Sequence, residues 1–147
     1  MKPIIISLVL ASAASGAALD EVNLWRRANG LRPYIEDPAL TEFAMKKAIW
    51  RAQHLAYDGH QGPKNPPGTC EGTGETAESW GCWNTCIMEE SHVFAGAAVV
   101  RNDHGQRVMV LVCRGGSCHA PIGRNIRPVR TFHLTPNPPR VPAIGRR

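Results

Sequence analysis

The feature that most constrains this chain is a pair of apolar runs, Val93 to Arg101 and Arg107 to Cys113, separated by Asn102, Asp103, His104 and Gly105. Turn-forming residues at a short break between runs rich in valine predict a β-hairpin. Side chains alternate across a strand, so Val108, Val110 and Val112 face one way while Met109, Leu111 and Cys113 face the other. Both sets are apolar, and neither face of such a sheet suits water. The chain must therefore cover the sheet above and below. The expected fold class is α+β, a three-layer α/β/α sandwich with an antiparallel sheet between helices.

Two upstream segments carry the pattern of covers. Val22, Trp25 and Ala28 make an apolar stripe between Asp20, a cap residue, and Gly30, a stop. After a short extended link from Pro33 to Glu36, Asp37 and Pro38 signal a second helix start, because proline at the first helical position forfeits no hydrogen bond. That helix is expected to run through Leu40, Phe43, Ala44, Ala48, Ile49, Ala52 and Leu55 to about Tyr57, with Gly59 ending it. From Gly59 to Gly81 the density of glycine and proline erases any period and predicts a long loop. A short helical turn is expected around Ala77 to Met88.

The N-terminus reads as an export signal. Lys2 precedes the apolar stretch Ile4 to Leu10 and the small-residue run Ala11 to Ala18, which predicts a signal peptide over residues 1–18 and a secreted, extracytoplasmic protein. The competing reading is an uncleaved anchor, although the run from Pro3 to Leu19 is barely long enough to span hydrocarbon. No later segment is apolar enough to span, so no transmembrane segment is expected after cleavage. The remainder, about 130 residues, suits a single domain over 19–118. The formal charge of +5 is uneven, because residues 119–147 hold six arginines and no acid. With its interleaved prolines, that stretch reads as a disordered basic tail. Outside the cell it is either simply solvated or meets anionic surface polymers, acidic glycans or lipid head groups. Nucleic acid is disfavoured, since Phe132 is its only aromatic available to stack.

Cys70, Cys82, Cys86, Cys113 and Cys118 are disulfide candidates in an exported chain, with one thiol left over and the pairing undetermined by sequence. A zinc site from Cys82-x3-Cys86 and Cys113-x4-Cys118 is the alternative, with spacing looser than the usual knuckle. A cysteine nucleophile would need an accessible low-pKa thiolate beside a base, and no residue pattern identifies one. His54, among Ala48, Ala52 and Leu55, reads as a boundary residue with one satisfied nitrogen, and His104 as a solvated turn residue. Trp25, Trp50, Trp80 and Trp83 suit core packing near a disulfide, or stacking on a sugar or lipid for the two that flank Gly81 and Cys82.

One phrase goes further. Glu21-Val-Asn-Leu-Trp-Arg-Arg-Ala-Asn-Gly-Leu-Arg-Pro, followed by Asp37-Pro-Ala-Leu-Thr before an alanine-rich helix and then by His60, resembles the CAP superfamily of SCP-like, cysteine-rich secretory, antigen 5 and pathogenesis-related 1 proteins. Gly74-Glu75-Thr76-Ala77 is similar to that family's Gly-Glu-Asn motif with threonine for asparagine, and the hairpin is similar to its terminal strand pair. Where the family has further helices, this chain has its glycine and proline loop, so it looks like an abridged version. The resemblance implies a cleft of two histidines and two acids, mapping onto His60, Glu75, Glu89 or Glu90, and His92. In some members the cleft holds a divalent metal, for which His60 and His92 would be the imidazole ligands here and zinc a suitable ion. Glu90 shares a face with His92 if that segment is extended, and Glu89 does if it is helical. The bland alternative is that all of these are ordinary loop polar groups. The implied function is an extracellular binding or interaction module for an unknown ligand. A secreted metal-dependent hydrolase using the cleft is the rival.

Overall fold

The computed structural model describes residues 6–55, 61–76, 90–115 and 138–145, with the backbone alone over 6–15 and 74–76. The elements in order are α1 (Ile6–Ala28), β1 (Ile35–Glu36), α2 (Pro38–His54), β2 (Thr69–Thr76), β3 (Phe94–Arg101) and β4 (Arg107–Arg114). They form one sheet in the order β1-β3-β4-β2. The hairpin pairs Phe94 with Arg114 through to Arg101 with Arg107, antiparallel as the turn residues dictate. The sheet as a whole is mixed rather than antiparallel, because the short link became β1, parallel to β3.

Each face of the hairpin is covered as its alternation requires. Ala95, Ala97, Val99, Met109, Leu111 and Cys113 pack with Ala18, Leu19, Val22 and Trp25 of α1. Ala98, Val100, Val108, Val110 and Val112 pack with Leu40, Ala44, Met45, Ala48 and Ala52 of α2. The fold is thus α+β in three layers. Gly96 lies directly under the start of α2, where a Cβ would fall 2.0 Å from the Thr41 nitrogen, so only glycine lets helix and strand approach this closely.

Helix ends follow local chemistry. Asp37 caps α2, its carboxylate accepting from the Ala39 and Leu40 amides at 3.0 and 3.4 Å. The same carboxylate pairs with Arg114 at 2.7 Å, and that guanidinium, aided by the two amides, lowers the Asp37 pKa against the opposing effect of burial. The helix stops at His54, short of Tyr57, because Leu55 takes a left-handed conformation with φ 48°. Gly59 lies outside the described residues. In α1, Asp20 is an exposed residue inside the helix rather than its cap, since the helix starts at Ile6. The expected signal boundary near residues 18 and 19 falls within this helix, beside the buried Ala18 and Leu19. Among the described residues no helix is long and apolar enough to cross a membrane.

Two regions differ from expectation. Within the stretch read as a long loop, Thr69–Thr76 forms β2, antiparallel to β4 over its whole length. Glycines 72 and 74 hid the strand by leaving no period to count. In the stretch read as a disordered tail, residues 138–145 lie on the domain. Arg101 and Arg140 form a parallel bridge flanked by Arg101 N–H to Pro139 carbonyl and Val141 N–H to Arg101 carbonyl bonds, both 2.7 Å. Val141 packs against the core under α2, and the Ala143 amide donates to the Asp103 carboxylate at 2.6 Å. The turn around 77–88 lies outside the described residues.

Candidate functional site

The fold sorts the cleft residues suggested by sequence. His60 and Glu89 lie outside the described residues, as do Cys82, Cys86 and Cys118. Glu75 stands in β2 opposite Val108, at the hairpin-turn end of the sheet. His92 precedes β3 at the other end, where Phe94, Arg114 and Thr69 share one row. The two rows are six residues apart, which at about 3.3 Å per residue is roughly 20 Å along the strands. Glu90 is exposed while His92 is 3% exposed, so the pair does not share an accessible face. A zinc ion holds its ligand atoms near about 2 Å, and the described members of the set do not fit one ion together. Among the described residues no group of three or more His, Cys, Asp or Glu is placed to hold a metal.

A different cavity stands at the end of α1. It has a volume of about 500 Å³ and, among the described residues, is lined by Arg26, Gly30, Leu31, Arg32 and Glu90. Arg26 is carried on the buried stripe of α1, one turn beyond Val22 and next to Trp25, and is 1% exposed. Its Nε–H donates to the Arg32 carbonyl at 2.7 Å, and its guanidinium carbon lies 3.7 Å from the centre of the Tyr34 ring. Tyr34 is fixed in turn by Asn23, whose amide donates to the Tyr34 carbonyl at 3.0 Å and whose side-chain oxygen accepts from the Tyr34 N–H at 2.7 Å. Gly30, at φ +72°, reverses the chain out of α1. A Cβ added to Gly30 would meet nothing within 4 Å.

No protein-family profile and no curated protein matches the chain. Among solved structures, venom allergen-like protein 4 of Schistosoma mansoni is similar at 10% identity, over 77% of this chain and 96% of that one, with a TM-score of 0.49.

Two buried ion pairs flank these features, and sequence reasoning missed both. Lys47 of α2 meets Glu71 of β2 at 2.6 Å, with Asn65 accepting a second ammonium bond at 2.9 Å. Arg107 of β4 meets Glu21 of α1 at 2.8 Å. The available signal was a charge on an apolar arc: Lys47 follows Ala44 by three residues and Glu21 follows Ala18 by three. His54 is the exposed boundary residue expected, its Nδ1 2.8 Å from the Trp50 carbonyl and its ring stacked on Trp50 at 4.0 Å. A Cβ on Gly62 would come within 2.6 Å of the same indole, so this glycine lets the chain pass close to Trp50. Trp25 is a core residue, and Trp80 and Trp83 lie outside the described residues. Cys70 and Cys113 are register partners across β2 and β4, the Cys113 thiol reaching the Cys70 carbonyl at 3.9 Å.

Proposed function

We propose that this chain is an exported, disulfide-containing CAP-like domain that acts by binding a small polar ligand outside the cytoplasm. The observation that carries the reading is the cavity at the end of α1, with Arg26 held in place by Tyr34 and by the Arg32 carbonyl. Its described charged groups are two guanidiniums and one carboxylate. Guanidiniums stay protonated at any relevant pH and serve as fixed donors rather than as proton carriers. Such a lining is suited to holding a ligand more than to transforming one. The domain plan supports the comparison with CAP proteins through the helix-one phrase, the capped second helix and the hairpin, and the signal-like N-terminus supports export.

The metal-hydrolase rival needs Glu75 and His92 at one centre, and the strand register stands against that. A thermal-shift screen of small polar ligands on the secreted protein, paired with its metal content before and after chelation, separates the two. The binding reading expects a ligand-dependent rise in melting temperature with no stoichiometric metal. A bound metal whose removal abolishes a hydrolytic activity would overturn it.

A further inference from the structure

We infer that Cys70 and Cys113 join in a disulfide that staples the edge strand β2 to β4. The pairing goes beyond the proposed binding role and takes from it only the oxidising compartment that export supplies. The two cysteines stand directly opposite in the antiparallel register of β2 and β4. Residues so placed have Cα atoms about 4.5 to 5.5 Å apart, inside the span of about 4.4 to 6.8 Å that a disulfide bridges. Opposed residues also point to the same face, and both belong to the cluster packed against α1, Cys70 7% exposed and Cys113 fully buried. The Cys113 sulfur lies 3.9 Å from the Cys70 carbonyl oxygen, within a side-chain rotation of the Cys70 sulfur. Hydrogen bonds made by a thiol are weak and do not compete with a covalent S–S bond.

β2 is where such a staple has most effect. It is the last strand in the order β1-β3-β4-β2, so a single ladder holds its backbone. Among the described residues Cys70 is its side chain in the cluster under α1, because Gly72 contributes none. A link between residues 43 apart removes loop-closure entropy from the unfolded chain and stabilises where apolar area is scarce. The edge position also gives an oxidant access, before β2 closes on β4 or when it opens. The chemistry is thiol–disulfide exchange with a low-molecular-weight or protein disulfide. The Cys70 thiolate attacks the oxidant, whose S–S bond breaks and whose first sulfur leaves as a thiol. The Cys113 thiolate then attacks Cys70 Sγ in the mixed disulfide and expels the second sulfur as a thiol. The protein loses two protons and two electrons, and the oxidant takes up both. A second bridge then comes only from Cys82, Cys86 and Cys118.

Refolding the purified full chain in reduced and oxidised glutathione, alkylating, and digesting without reductant after Lys, Arg and Glu tests the pairing independently of export. Cuts after Lys64, Glu71, Arg107 and Arg114 separate Cys70 and Cys113 from each other and from the other three cysteines. Mass spectrometry is expected to find residues 65–71 linked to 108–114. Cys82→Ser, Cys86→Ser and Cys118→Ser together should leave that link intact, and its reduction should then lower the melting temperature by about 10 °C. Cys70→Ala added to this variant should melt where the reduced protein does. Cys70 or Cys113 linked instead to Cys82, Cys86 or Cys118, or recovered alkylated at both positions, would overturn the inference. So would a triple variant that does not oxidise. A chain that is not exported but forms this link in glutathione would sink the export reading and leave the pairing standing, whereas an exported chain without the link would sink the pairing alone.

Discussion

β4 and β2 lie side by side over eight register pairs, yet different physics holds each in place. β4 presents valines to α2 and Met109, Leu111 and Cys113 to α1, all of them fully buried. Its position follows from apolar area removed from water on both faces. β2 offers the α1 side Cys70 and the α2 side Glu71, with Gly72 contributing no side chain at all. What ties it under α2 is a charge, neutralised by Lys47 and shared with Asn65. A hydrophobic pattern can find the first kind of strand and is blind to the second.

The sharpest way to break this comparison is Glu71→Ala, which leaves the Lys47 ammonium buried without its carboxylate and should cost about 4 kcal/mol in denaturant unfolding. Replacing both partners, Lys47→Met with Glu71→Leu, should restore most of that loss, since an apolar pair of similar size avoids the desolvation cost. Leu111→Ala on β4 should cost about 3 kcal/mol through lost transfer energy and a cavity under α1. No second-site polar change should rescue it.

Removing residues 138–147 should lower stability by about 2 kcal/mol, because Val141 leaves the core edge and the bonds to Arg101 and Asp103 are lost. A truncated protein with an unchanged melting temperature would return this segment to the status of a solvated tail. Asp37→Ala should cost about 1 kcal/mol as a lost helix cap. The Asp37 pKa is lowered by Arg114, so its contribution is complete above the unfolded-state value near about 3.9 and is lost as pH falls through the lower folded value. Melting curves below about pH 4 should therefore fall more steeply for the wild type than for Asp37→Asn. At the small end, Glu42→Gln should change nothing measurable, although Lys46 lowers the Glu42 pKa, because that pair is fully solvated.

Legibility in the sequence followed the same division. The hairpin and the Asp37-Pro38 start were readable because alternation and capping are local. The two covers were readable too, but α1 runs back to Ile6, where apolar signal-like residues are also good helix formers. β2 escaped notice because its glycines and threonines are turn-like in isolation and its buried face is acidic. The docking of 138–145 was hidden because backbone bonds to a distant strand end leave no trace in composition. The cleft set drew together Glu75 and His92 by family resemblance, and only the strand register reveals that they occupy opposite ends of the sheet. Arg26 was in view from the start inside the helix-one phrase. Its surroundings became visible only in the fold, which stacks it on Tyr34 and puts it with Glu90 in the lining of one cavity.

The central claim is that ligand recognition belongs to the end of α1 and that Glu75 and His92 do not share a metal centre. A zinc titration followed by backbone amide shifts of the protein tests it most directly. The account predicts that the amides of Glu75 and His92 do not move together at one equivalent of zinc. Stoichiometric zinc that shifts both at once, and is reversed by chelation, would contradict it.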